Sequence, residues 1–147
     1  MKILAENKKA LFNYEILETL EAGVELFGFE AKAIQNGRIN LSGAFATVKN
    51  RQLWLTNADI PPYQPANTPK DYDSKRARRL LLHRSEISSL LGKLKTKGLT
   101  IIPISVYNKA GLIKIRLGLA RSKKKFDKRE EIKKRDIERE IGRTLKR

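Results

Sequence analysis

Cysteine is absent from the 147 residues, and histidine occurs once, at His83. The chain therefore cannot build a disulfide framework, a thiolate metal site or a multi-histidine zinc cluster, and no cofactor is expected. Methionine and tryptophan also occur once each, and no apolar run approaches the roughly 20 residues of a membrane-spanning helix. The opening Met1-Lys-Ile-Leu-Ala5 is interrupted at once by Glu6, Asn7, Lys8 and Lys9, so it lacks the apolar centre of a secretory signal. A cytoplasmic monomer with no membrane partner is expected.

The motifs of catalysis are missing as well. There is no Gly-x-Ser-x-Gly elbow, no Gly-rich phosphate loop ahead of Lys-Ser/Thr and no His-Glu-x-x-His helix. Asp71-Tyr-Asp73 lacks the glycine and the distal glutamate of a calcium loop and reads as a solvated loop that neutralises nearby arginines. His83, beside three leucines, reads as a packed surface histidine rather than an acid or base. No enzyme is expected.

What the chain has in excess is positive charge: 32 Lys and Arg against 16 Asp and Glu, a net +16. Residues 121–147 hold 13 basic and 6 acidic residues, which leaves +9 on residues 1–120. Charge of one sign on both parts attracts polyanions, nucleic acid ahead of an anionic membrane. Two units are expected, a folded domain over 1–120 and a basic arm over 121–147. The large apolar residues of the arm are Phe126, Ile132, Ile137, Ile141 and Leu145, too few for a core. Glu130 with Lys134 and Glu131 with Arg135 favour a helix, whereas Gly142 costs about 1 kcal/mol within one. The arm is expected to be disordered or marginally helical until a partner covers the Ile137, Ile141 and Leu145 stripe.

Within the body, Phe12, Tyr14, Ile16 and Leu20 alternate over residues 12–20 as in a strand. Glu21-Ala-Gly23 reads as a turn, with residues 24–27 pairing back. The Ala-rich run 29–37 ends in Asn-Gly like a short helix closed by a left-handed residue. Residues 44–49 and 52–56 flank Asn50-Arg51 as a tight hairpin. Four prolines in residues 60–70 require a surface loop. The run 75–84 carries five basic residues and no acid. Ile87, Leu90, Leu91 and Leu94 make one helical stripe, with Ser85 as a candidate N-cap. Residues 99–107 and 112–119 form the strongest hairpin, Ile113, Ile115, Leu117 and Leu119 facing inward and Lys114 and Arg116 outward; Pro103 marks an edge or a bulge. About six short strands with two or three short helices suit a mainly β fold, a small closed antiparallel barrel of the oligonucleotide-binding kind.

Lys114, Arg116, Arg121, Lys123, Lys124 and Lys125 continue one basic line that can follow a phosphate backbone. Tyr63, Tyr72 and Phe126 could stack on unpaired bases, as could Phe12 and Tyr14, although the last two fit the core better.

Taken in order, Asn7-Lys-Lys-Ala10, Tyr14-Glu-Ile16, Glu21-Ala-Gly23, Gly28-Phe-Glu-Ala-Lys32, Asn40-Leu41, Arg79-Leu-Leu-Leu-His83, Glu86-Ile87, the Pro103 strand, Lys114 and Asp127-Lys-Arg129 form a series. In that series the chain resembles the small protein B family over nearly its whole length. The resemblance implies an RNA-binding adaptor of trans-translation. Its barrel would grip the tRNA-like domain of transfer-messenger RNA, and its arm would act in the decoding centre and empty messenger channel of a stalled ribosome. It places RNA contacts on Asn7, Glu21, Leu81, His83, Lys114, Lys123 and Lys124, to which the basic neighbours Lys8, Lys32, Arg79 and Arg121 are added. The ribosome-acting positions fall on Asp127, Lys128 and Arg129, with Ile137 and Ile141 on the arm's apolar stripe. Charge would not select Glu21, and without the resemblance Leu81 reads as core. The chain departs from the family pattern at Ala31, Ala33, Gln35, Ser122 and Phe126; Ser122 replaces a glycine that allows closer backbone approach. The competing reading is a basic ribosomal or ribosome-assembly protein whose tail threads RNA.

Overall fold

The computed structural model describes residues 1–123. In chain order they form β1 (Lys2–Glu6), α1 (Lys8–Asn13), β2 (Tyr14–Val24), α2 (Gly28–Gln35), β3 (Phe45–Lys49) and β4 (Gln52–Thr56). There follow β5 (Arg78–Leu81), α3 (Arg84–Lys93), β6 (Leu99–Lys109) and β7 (Leu112–Ser122). The strands pair antiparallel in the order β1-β6-β3-β4-β5-β2-β7, and β7 pairs with β6 again. Six strands thus close on themselves, and β1 lies outside on β6. This is the small antiparallel barrel expected, with one strand more than the sequence suggested.

Period-two alternation fills the barrel. Leu53 and Leu55 of β4, Leu80 of β5, Ile101 and Val106 of β6, and Ile115, Leu117 and Leu119 of β7 are all buried. Each such side chain contributes about 1.5–3 kcal/mol relative to exposure. The β6–β7 hairpin carries the longest ladder, Leu99↔Arg121 to Lys109↔Leu112, with a bulge between Pro103 and Ser105. Pro103 lacks an amide donor, and the irregularity falls beside it. β7 runs to Ser122, so Arg121 and Ser122 belong to the barrel rather than to an arm starting at 121. Lys124, Lys125, Phe126, the Asp127-Lys-Arg129 motif, Ile137 and Ile141 lie outside the described residues.

Several local expectations hold. Beyond the end of α2 at Gln35 and its C-cap Asn36, Gly37 has a φ of 74°, the left-handed closure that Asn-Gly implied. Asn50 and Arg51 turn the β3–β4 hairpin with φ of 53° and 59°, so the arginine as well as the asparagine is left-handed.

Four expectations are corrected. Phe12 and Asn13 close a helix, α1, rather than opening the strand expected over 12–20; the Asn7 side-chain oxygen accepts the Ala10 amide at 3.2 Å and caps that helix. Glu21-Ala-Gly23 is not a turn: these residues sit in mid-strand, opposite Arg116, Ile115 and Lys114 of β7. Residues 24–27 therefore do not pair back as a second strand. The basic run before α3 is also a strand, β5, and His83 rather than Ser85 occupies the N-cap position.

Candidate nucleic-acid interface

The interior of β5 explains how an arginine-rich segment becomes a strand. Arg78 is fully buried, and its Nε donates to Glu30 at 2.8 Å. Glu30, equally buried on α2, also accepts from the Arg76 guanidinium, from the Tyr72 hydroxyl at 2.9 Å and from the Phe27 amide at 2.8 Å. Arg78 further donates to the carbonyls of Ala58 and Ser74 and to the Tyr72 hydroxyl. Burial pushes the Glu30 carboxyl up, but the hydrogen bonds from Arg76, Phe27, Arg78 and Tyr72 outweigh it and hold the group below the usual carboxylate range. Burial, then the neighbouring carboxylate, pushes the Tyr72 phenol up to about 12. Tyr72 is thus half-buried and committed to this network, not free to stack on a base. The network locks β5 to α2.

With Arg78 and Leu80 inward, Arg79 and Leu81 alternate outward. Leu81 is 44% exposed, which corrects the core assignment that its apolar character suggests. It lies opposite Gly23 of β2, and Gly23 lies opposite Lys114 of β7, which in turn faces Tyr107 of β6. One outer row therefore crosses four strands. A Cβ on Gly23 would sit 3.3 Å from that of Leu81, so the glycine lets the leucine settle across the strand. One step along β2, Glu21 pairs with Arg116 on the same outer face.

Tyr107 sits at the middle of this face yet is only 1% exposed, because its neighbours cover it. Its hydroxyl donates to Glu21 Oε2, the Arg116 guanidinium lies 5.9 Å from its ring centroid, and Lys109 Nζ reaches Glu21 at 3.4 Å. The Tyr107 hydroxyl, then Lys109, hold the Glu21 carboxyl below the usual range against a smaller opposing effect of desolvation. Burial, followed by Glu21, pushes the Tyr107 phenol up to about 12. The glutamate is thus an oriented acceptor among cations, able to take hydrogen bonds from base amino groups. Tyr107→Phe is expected to raise the Glu21 pKa toward its ordinary value, as read by NMR pH titration of the carboxyl carbon. The stability linked to this pKa is present above the unfolded-state value and lost as pH falls through the lower folded one, and the variant should show a weaker acid-side dependence.

The sequence-derived positions separate into groups. Glu21, Arg79, Leu81 and Lys114 come together on the outer face, and His83 follows at the exposed start of α3, where its amide donates to Glu86 at 3.1 Å. The Arg79 Nε is buried without a hydrogen-bond partner among the described residues. Lys8 is on α1 and Lys123 bonds to its end, the Lys123 amide and ammonium donating to the carbonyls of Asn13 and Leu11, while Arg121 pairs with Glu15, two residues past α1 on β2, at 2.8 Å. Lys8 is exposed at the first turn of α1, and Lys32 is exposed in the last turn of α2.

Asn7 requires a correction. It is 3% exposed, and its Nδ2 donates to the carbonyls of Pro103 at 2.9 Å and Leu41 at 3.2 Å. With its oxygen on Ala10, the side chain ties α1 to the barrel. Sequence reasoning missed Tyr107 and Lys109. Nothing in their local pattern marks them, since only the cross-strand fold brings them to Glu21.

The family model for the SmpB protein matches residues 4–147. The chain belongs to the SmpB family. Relatives named SsrA-binding protein include one from Synechococcus elongatus, 48% identical over 147 residues, covering 100% of this chain and 96% of the relative. Those from Thermosipho africanus and Coprothermobacter proteolyticus are 50% and 51% identical, covering 99% and 98% of the relatives. A solved chain described as "tmRNA-SmpB: a journey to the center of the bacterial ribosome" has a TM-score of 0.68 at 43% identity, covering 82% of this chain and 85% of that one. The SmpB match takes in the outer face, the α1 group and the segment beyond residue 123. No helix among the described residues is long and apolar enough to cross a membrane.

Proposed function

We propose that this SmpB protein is a non-enzymatic, cytoplasmic adaptor that binds the tRNA-like domain of transfer-messenger RNA and delivers it to stalled ribosomes. Glu21, Arg79, Leu81, His83 and Lys114 form its principal RNA contact, with Lys8, Arg121 and Lys123 as a second strip beside α1 and Lys124 as a further RNA-binding residue. Lys32 adds a peripheral phosphate contact. Asp127, Lys128 and Arg129, with Ile137 and Ile141 later in the sequence, act on the ribosome.

The observation that carries this reading is the juxtaposition of a pinned glutamate, an exposed leucine and a lysine on one face of a strongly basic barrel. A surface meant only to attract phosphates has no use for Glu21 or Leu81. An oriented carboxylate reads base amino groups, an apolar side chain packs on a sugar or base, and the lysine takes a phosphate.

Titration of the isolated tRNA-like domain in excess unrelated tRNA tests the reading. Glu21→Ala is expected to weaken binding by about tenfold or more, as loss of a hydrogen bond to a charged group does. Lys114→Ala should flatten the dependence of log affinity on log salt by about 0.7–0.9, one phosphate contact. Equal affinity of the wild type for both RNAs would instead favour a general ribosomal-assembly protein.

A further inference from the structure

A cleft that the contacts above do not use opens between α3 and the β3–β4 turn. Arg51, Arg84 and Lys95 line it, over the side chains of Ile87 and Leu91, and no acidic residue is among the described residues of its lining. All three cations are exposed, and none is in an ion pair with another described residue. The nearby carboxylate of Glu86 is engaged with the His83 amide. Arg51 holds a φ of 59°, a conformation in which glycine would be unstrained and which costs other residues about 1–2 kcal/mol. The strain falls on the residue that carries its charge into the cleft.

The cleft continues the outer face. Arg84 directly follows His83, the start of α3. Trp54 of β4 pairs with Arg79 of β5, and continuing that register two residues brings Gln52, beside Arg51, level with Leu81. A strand of RNA leaving Leu81 and His83 along the rim therefore meets three unpaired cations over an apolar floor. Bidentate guanidinium groups suit phosphate oxygens, and Ile87 and Leu91 suit sugar faces.

We propose that Arg51, Arg84 and Lys95 form a further phosphodiester-binding cleft, which extends the RNA contact of the barrel around its rim to the same transfer-messenger RNA. The proposal rests on the outer-face reading above, and Lys114→Ala serves as its separate control.

The test measures full-length protein binding to the tRNA-like domain across a salt series. In the Arg51→Ala, Arg84→Ala, Lys95→Ala triple variant, the salt slope should fall by about 2, and affinity should drop roughly tenfold or more. The charge-keeping variant, with Arg51→Lys, Arg84→Lys and Lys95→Arg, should retain the wild-type slope. Unchanged slope and affinity in the triple-alanine protein, alongside a loss in Lys114→Ala, would overturn the cleft and leave the outer face standing. This holds even if ribosome affinity falls, since the cleft would then face ribosomal phosphates instead. Loss in the triple-alanine protein with a silent Lys114→Ala would keep the cleft as an RNA contact and overturn the outer-face reading. Silence in both would overturn both.

Discussion

Glu30→Ala is expected to destabilise the barrel by about 3–5 kcal/mol, the cost of removing one partner from a buried ion pair. The loss strands Arg78, which is fully buried, and unpins Arg76 and Tyr72. Few single substitutions on the surface would exceed about 0.5 kcal/mol, so the contrast is readily measured by urea unfolding. An effect below about 1 kcal/mol would mean that Arg78 finds other partners and that the network is not what fixes β5. The pH dependence carries the sign of the shift. The Glu30 carboxyl sits below its ordinary value in the fold, so its contribution is present above the unfolded-state pKa. It is lost as pH falls through the folded value. Glu30→Ala should therefore flatten the acid limb of the stability profile as well as lower the plateau. Because β5 carries Leu81 and Arg79, RNA affinity should weaken in the variant even where it remains folded.

The second large effect belongs to the arm. Removal of residues 130–147, or alanine at Asp127, Lys128 and Arg129, is expected to abolish peptide tagging on stalled ribosomes and to leave binding to the tRNA-like domain largely intact. The physical ground is a separation of surfaces. Among the described residues the hydrophobic core draws on positions between Leu4 and Ala120, and β7, the last barrel strand, ends at Ser122. Residues 124–147 hold 11 basic residues in 24 and five large apolar ones, a composition suited to a polyanionic partner. If truncation instead destroyed affinity for the isolated RNA domain, the arm would be part of the RNA grip, and the division of labour would fail.

The contrast between α1 and β7 shows what the sequence made legible. β7 and its hairpin with β6 could be read from Ile113, Ile115, Leu117 and Leu119 alternating with charge, because half-burial imposes a period of two. α1 could not, since Phe12 and Tyr14 happen to share the spacing of a strand, and the deciding group is the Asn7 side chain capping Ala10. Glu21-Ala-Gly23 has turn composition, but pairing with β7 along all three residues and with β5 at Gly23 overrides local propensity. Of the candidate site, Lys114 followed from charge on an outward strand position. Glu21 and Leu81 came only from the family resemblance, because their meaning lies in the cross-strand row with Gly23, Lys114 and Tyr107. Asn7 was legible as a motif residue, but its work is internal, which only its burial and three hydrogen bonds reveal.

The most direct measurement is sequencing of the RNA that copurifies with the full-length protein, set against total cellular RNA. Transfer-messenger RNA should be enriched far beyond its cellular share, and that enrichment should collapse in the Glu21→Ala, Lys114→Ala double variant. Recovery of RNAs in proportion to their abundance, with ribosomal RNA foremost and no difference between the wild type and the double variant, would contradict the account.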